Sequence, residues 1–243
     1  MLLSWMGNPG IIFVSVGNQN TVQTLCKSGV QCTIRSSNNL QERKKMITTI
    51  FILGIGIFSI SSVYFFFARK KPKGLNTAFL VSFVTLASYA LMWQGSFTAQ
   101  SSAGEPIFWT RWVFYALSCS LLMLEIARAK KITSSGKVAE LIFLNVFVMG
   151  TGVLASVTTG LGKWIFFLLS SIAYLIQIAV VLKAREKAAN WINLYIWLGW
   201  TGFPVVFFLA PTGLGLFGAT IAMGLYLVLD VFTKIVFNIQ LNA

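Results

Sequence analysis

From Met46 onward the chain is mostly apolar, in seven long stretches broken by short polar or basic segments. They cover roughly 46–68, 75–98, 106–128, 138–159, 163–183, 191–211 and 215–240, and about 20 apolar residues suffice for a helix to cross a bilayer. The pattern predicts an all-α membrane protein, a seven-transmembrane-helix bundle over 46–243 with no room for a separate soluble domain. Residues 1–45 break it. They are rich in Asn, Gln, Ser, Gly and Thr and end in Glu42-Arg43-Lys44-Lys45. The apolar run from Ile11 to Val16 is short for a signal peptide, and no clear cleavage site follows. Two readings stand, a disordered extracellular tail or sequence upstream of a natural start at Met46, and the second is preferred. Cys26 and Cys32 could pair in an oxidising space, and their spacing fits no metal motif.

Composition agrees with a membrane protein, at 56% hydrophobic and 10% charged residues. A net charge of +13 would suit nucleic acid, but its distribution excludes that partner. The basic residues gather in three loops: Arg69, Lys70, Lys71 and Lys73; Arg128, Lys130, Lys131 and Lys137; Lys183, Arg185 and Lys187. The alternate loops hold only Lys163 and Glu105. By the positive-inside rule the amino terminus is outside and the carboxyl terminus inside, although Arg43, Lys44 and Lys45 oppose this order.

Once the charges of the loops, the tail and the span ends are set aside, four ionisable side chains remain within or at the edge of the bilayer: Arg111, Glu125, Asp230 and Lys234. Intramembrane charges are functional candidates, and a central lysine costs roughly 2.5–3.5 kcal/mol on insertion scales. Asp230 precedes Lys234 by one helical turn, so both project from one face. The pair is either a structural salt bridge or a Schiff-base lysine with its counterion, because desolvation makes an amine nucleophilic toward an aldehyde. The chain has no histidine, so no imidazole relay exists.

In the third span, steps of three, four and seven join Arg111, Phe114, Ser118 and Glu125 into one stripe. Glu125 lies about 21 Å from Arg111 at the helical rise. It is either an inner carboxyl of a proton path or an interfacial partner of Arg128 or Lys130. Cys119 is expected buried and unpaired. In the second span Tyr89 and Trp93 read as packing and interfacial anchors, and Gly54 and Gly56 of the first permit close helix contact. The fourth span's Asn145 and the fifth span's Phe166, Phe167, Ser170 and Ser171 could be packing surface. In the sixth, Trp200, Phe203 and Phe207 form an aromatic wall and Pro204 favours a kink. That wall is either core or one side of a slot for a flat conjugated ligand. The GxGxxG match at 213–218 lacks any βαβ context and reads as a turn.

Together these residues resemble a microbial rhodopsin over about 46–243. The resemblance implies all-trans retinal bound covalently at Lys234 as a protonated Schiff base, Asp230 as counterion, and a pocket of Tyr115, Val148, Gly152, Trp200, Phe203, Pro204 and Phe207. Phe203 stands where many members carry tyrosine and Phe207 where many carry tryptophan. Outward proton pumps have a carboxylate, a threonine and a second carboxyl where this chain has Phe114, Ser118 and Glu125. That triplet, with Cys119 beside Ser118, is similar to the schizorhodopsins and Antarctic rhodopsins, which are inward proton pumps. The paired glutamates of an outward release group are replaced by Thr212 and Ala222. The resemblance further implies a cell-membrane, multi-pass, homotrimeric ion transporter that is no enzyme and carries no metal. Its partners are protons and membrane lipid. A sensory rhodopsin, a light-gated proton channel and a retinal-free seven-helix transporter are the alternatives.

Overall fold

The computed structural model describes residues 11–16, 22–27, 32–35, 37–68, 77–100, 105–184 and 190–242. The expected basic loop residues Arg69, Lys70, Lys71, Lys73, Arg185 and Lys187 lie outside these. The chain divides into two compact units, Met1–Thr49 and Ile50–Ala243. The first carries an antiparallel three-stranded sheet, β1 (Ile11–Val16), β2 (Val22–Lys27) and β3 (Cys32–Arg35), with Cys26 opposite Cys32 in the ladder. Whether those two cysteines pair concerns side chains outside the described ones.

The second unit is the helical bundle. Helix α1 (Ser37–Phe67) runs into it, followed by α2 (Thr77–Trp93), α3 (Thr110–Ala129), α4 (Ser135–Val157) and α5 (Gly160–Leu182). Helix α6, residues 190–209, comprises Asn190–Tyr195, a π-helical segment Ile196–Trp200 and Thr201–Leu209. Helix α7, residues 219–242, comprises Ala219–Asp230, a second π segment Val231–Val236 and Phe237–Asn242. Six of the helices are long and apolar enough to cross a membrane, and α2 is a shorter apolar helix.

The second span ends earlier than its hydropathy suggests. Gly95, at φ 74°, takes the left-handed position past the last turn, and the Gly95 and Ser96 amides bond back to the Met92 and Leu91 carbonyls. That double closure terminates a helix, so residues 96–98 leave it. Thr98 and residues 106–108, read as the ends of the second and third spans, instead lie in two paired strands, β4 (Thr98–Gln100) and β5 (Pro106–Phe108), fastened where Thr110 Oγ1 donates to the Ser96 carbonyl at 2.6 Å, so α3 begins at Thr110 rather than near 106. At the far end of α3, Arg128 belongs to the last helical turn rather than to the loop. The 213–218 segment is a turn, as expected, with Gly215 at φ 70°, and α7 begins at Ala219 rather than near 215.

Pro204 explains part of the irregularity of α6. Its missing N–H cannot meet the Trp200 carbonyl four residues back, and the π segment ends at Trp200. The two π segments face each other across Gly199, where an added Cβ would lie 2.6 Å from Thr233 Cγ2. Tyr195 and Phe232 stack alongside at 4.5 Å with planes 5° apart. Of the two glycines expected to allow close contact in α1, Gly54 does so, since a Cβ there would collide with the Tyr89 ring. Gly56 has open space beside it. The apolar core joins Val81, Leu122, Met123, Ile126, Leu141, Ile192, Ile196 and Phe237, all buried.

Candidate functional site

Three charged side chains from two helices meet inside the bundle. Lys234, in the π segment of α7, and Asp230, at the last α-helical position before it, are each 0% exposed, and Arg111 of α3 is 1% exposed. Lys234 Nζ lies 2.8 Å from Asp230 Oδ1, as the spacing of one helical turn predicts. The approach is an ion-pair distance without hydrogen-bond alignment, so neither Nζ nor Oδ1 has a hydrogen-bond partner in the protein. Nζ also sits 3.8 Å from the centre of the Tyr115 ring.

The other carboxylate oxygen is crowded. Asp230 Oδ2 accepts from Tyr115 OH at 2.7 Å, from Tyr89 OH at 2.8 Å and from Arg111 Nη1 at 3.3 Å. Charge-assisted bonds of this kind are about twice as strong as neutral ones and stabilise the anion. Tyr89 is therefore not the packing or interfacial group its sequence setting suggested. Gly54 admits its ring, which stacks on Phe58 at 5.7 Å, and so aims the hydroxyl at Asp230. Trp93, by contrast, is 51% exposed, as an anchor should be. Tyr226 was also missed: it is buried beneath the Arg111 guanidinium, 4.5 Å from ring centre to carbon.

The inward face of α3 is centred on Arg111, Tyr115, Ser118 and Leu122, all buried. Of the expected stripe, Arg111 and Ser118 hold their place on that face, and Tyr115 takes the position expected of Phe114. Phe114 and Glu125 are half-buried at its flank, and the ring over Lys234 belongs to Tyr115. The Ser118 hydroxyl is fully buried without a hydrogen-bond partner in the protein. Cys119 is buried and free. Glu125 pairs with Arg128 at 2.7 Å, the interfacial alternative, and Arg128 Nη1 also reaches Thr77 Oγ1 at 3.3 Å.

A cavity of about 810 Å³, counted as all space between its walls and out to its mouth, opens beside this cluster. Its walls include Arg111, Tyr115, Cys119, Val148, Gly152, Trp200, Phe203, Pro204 and Phe207. The aromatic wall of the sixth span faces that space. Phe114, Ser118, Asp230 and Lys234 are not wall residues, whereas Tyr115, whose ring centre lies 3.8 Å from the amine, is. Asn145, Phe167, Ser170 and Ser171, read as possible packing surface, also line it. Phe167 stacks on Phe207 at 5.3 Å, and Asn145 is fixed by bonds to Ser120 Oγ and the Ala116 carbonyl. Among the described residues, no cluster of His, Cys, Asp or Glu is arranged to hold a metal ion.

The family described as bacteriorhodopsin-like protein has a model that matches residues 45–242 of this chain. The chain belongs to that family. This rhodopsin is similar to schizorhodopsin 4, whose crystal structure is 44% identical, superposes with a TM-score of 0.76, and covers 80% of this chain and 98% of that one. It is similar to Archaerhodopsin-2 of Halobacterium sp. (strain aus-2), 24% identical over 213 residues, 78% of this chain and 82% of that protein. Thermophilic rhodopsin from Rubrobacter xylanophilus shares the fold, with a TM-score of 0.75 at 20% identity over 81% of this chain and 94% of that one. This rhodopsin is a multi-pass membrane protein of a family of light-driven ion pumps, and the family implies a retinal chromophore.

Proposed function

We propose that this rhodopsin pumps protons inward under light, with all-trans retinal joined to Lys234, the amino terminus outside and the carboxyl terminus inside. The residues present suit that group. Lys234 offers a fully buried primary amine for imine formation with an aldehyde, with the Asp230 carboxylate 2.8 Å away to balance the imine's charge. The aromatic walls beside it suit a flat apolar chain, held by Trp200, Phe203, Pro204 and Phe207 on one side and Val148 and Gly152 on another. Bound there, retinal would supply light absorption and an isomerisation that turns the Lys234 N–H.

The rest is done by the chain. Lys234 Nζ holds the proton in the dark, its charge balanced by Asp230 Oδ1 at 2.8 Å. Asp230 Oδ2 already accepts three donors, so it is stabilised as an anion and makes a poor acceptor. That triple donation is the observation that carries the direction of transport. Asp230 is the only aspartate in the sequence, and α3 presents Phe114 where the resemblance puts an outward pump's acceptor. The carboxylate on the other side of Lys234 along α3 is Glu125. A proton leaving Nζ therefore travels inward, toward or through Glu125. Its replacement enters from outside past Arg111 and Asp230.

Glu125→Gln tests the inward step. With retinal supplied, the visible band should survive while the initial rate of light-driven pH change falls by about a hundredfold, the low end of what positioned proton-transfer groups contribute. An unchanged rate would remove Glu125 from the path.

A further inference from the structure

The buried cluster holds two cations, Arg111 and Lys234, against one carboxylate, Asp230. Hydrogen bonds anchor Arg111 poorly. A guanidinium carries five N–H donors. Here Nη1 meets Tyr115 OH at 3.0 Å and Asp230 Oδ2 at 3.3 Å, Nη2 meets only the Met223 thioether at 3.3 Å, and Nε has no partner in the protein. Ring faces make up the difference. Three tyrosines surround the guanidinium carbon, with Tyr226 at 4.5 Å, Tyr89 at 5.6 Å and Tyr115 at 5.7 Å. A cation over a desolvated aromatic face is attracted by the ring's quadrupole. Tyr89 and Tyr115 also give their hydroxyls to Asp230, whereas the Tyr226 hydroxyl makes no hydrogen bond within the protein. What Tyr226 offers is its ring, backed by Phe203 in a near-parallel stack at 6.2 Å and 17°.

We propose that Tyr226 is a positioning residue for Arg111, its ring face holding the guanidinium against Asp230 independently of its hydroxyl. This deepens the reading of Asp230 as counterion and rests on it. Asp230 is faced by Tyr89 from α2, by Arg111 and Tyr115 from α3, and by Lys234 from its own helix. Loosening Arg111 weakens the one full positive charge that reaches Oδ2, so acid should neutralise the carboxylate at higher pH.

The test is a double-mutant cycle on the retinal-loaded protein, reading the pH midpoint at which acid shifts the visible band to longer wavelength. Tyr226→Leu should raise the midpoint by about one pH unit, a tenfold change in proton affinity. Tyr226→Phe should leave it in place, and Tyr226→Leu should add nothing in an Arg111→Gln background. An equal shift in Tyr226→Phe would transfer the role to the hydroxyl and overturn the proposal, as would an undiminished shift in the Arg111→Gln background. If the wild-type chain forms no visible band, the retinal reading fails, and the cycle is then read by thermal unfolding of the chain in detergent. There, Tyr226→Leu lowers the unfolding midpoint only when Arg111 is present, and equal losses in both backgrounds would refute the ring's role.

Discussion

The two sides of Lys234 are built on opposite principles. Toward Asp230, polar atoms from α2, α3 and α7 converge: two tyrosine hydroxyls, a guanidinium, a carboxylate and the amine, nearly all fully buried. Toward Glu125, α3, α6 and α7 meet through Leu122, Met123, Ile126, Ile192, Ile196 and Phe237, an apolar slab to which the α3 neighbours of Glu125 belong. The ion pairs differ as sharply. Arg111–Asp230 is 1% and 0% exposed, whereas Arg128–Glu125 is 61% and 19% exposed. Removing one partner of a buried pair costs roughly 3–5 kcal/mol, and an exposed pair contributes about 0–1 kcal/mol. One side is therefore a fixed electrostatic cage, and the other, on the proposed inward reading, is a barrier that must open. A standing wire of polar groups does not set the direction of transport. On the proposed inward reading it follows from the saturation of the polar side, which leaves a proton released from Lys234 its acceptor beyond the apolar one. The paired π segments, meeting across Gly199, sit next to that barrier. Backbone hydrogen bonding is irregular there.

The contrast can be broken most completely at the amine. Lys234→Ala should abolish the visible band after all-trans retinal is added, measured by absorption of the purified protein. A band that persists would place the attachment elsewhere.

Smaller changes probe the cage. Tyr115→Phe removes a 2.7 Å donor to Asp230 and an acceptor for Arg111, and Tyr89→Phe removes a 2.8 Å donor alone. Hydrogen bonds to charged groups contribute about 1.5–3 kcal/mol each, so both variants should bleach at lower temperature, with Tyr115→Phe the more affected. At the other side, Arg128→Gln should shift the thermal midpoint by no more than about 1 kcal/mol of stability allows, because its guanidinium is mostly in contact with the exterior. A large loss there would deny the distinction between the two ends.

Much of the bundle and of its charged centre is legible in the amino-acid sequence. A lysine and aspartate one turn apart in an apolar span admit few arrangements, and the steps of three and four through Trp200, Phe203 and Phe207 mark one wall of the cavity. What stays hidden depends on contacts between helices. Tyr89 looks like one hydroxyl among several in its span, although Ser82, Thr85 and Tyr89 recur at three and four and are all buried, a polar stripe that marks an inward face. Met223, Tyr226 and Asp230 follow the same rhythm on α7. That Tyr115 rather than Phe114 covers the amine is invisible in the residue types because both are aromatic, and only the packing of α2 and α7 decides between them. The early end of α2 is signalled by Gly95, which an apolar window overlooks.

The sign of the light-induced pH change tests the central claim most directly. Cells making this rhodopsin, supplied with all-trans retinal and illuminated in unbuffered medium, should turn the outside more alkaline, and a protonophore should erase the signal. External acidification that the same protonophore erases would contradict the account.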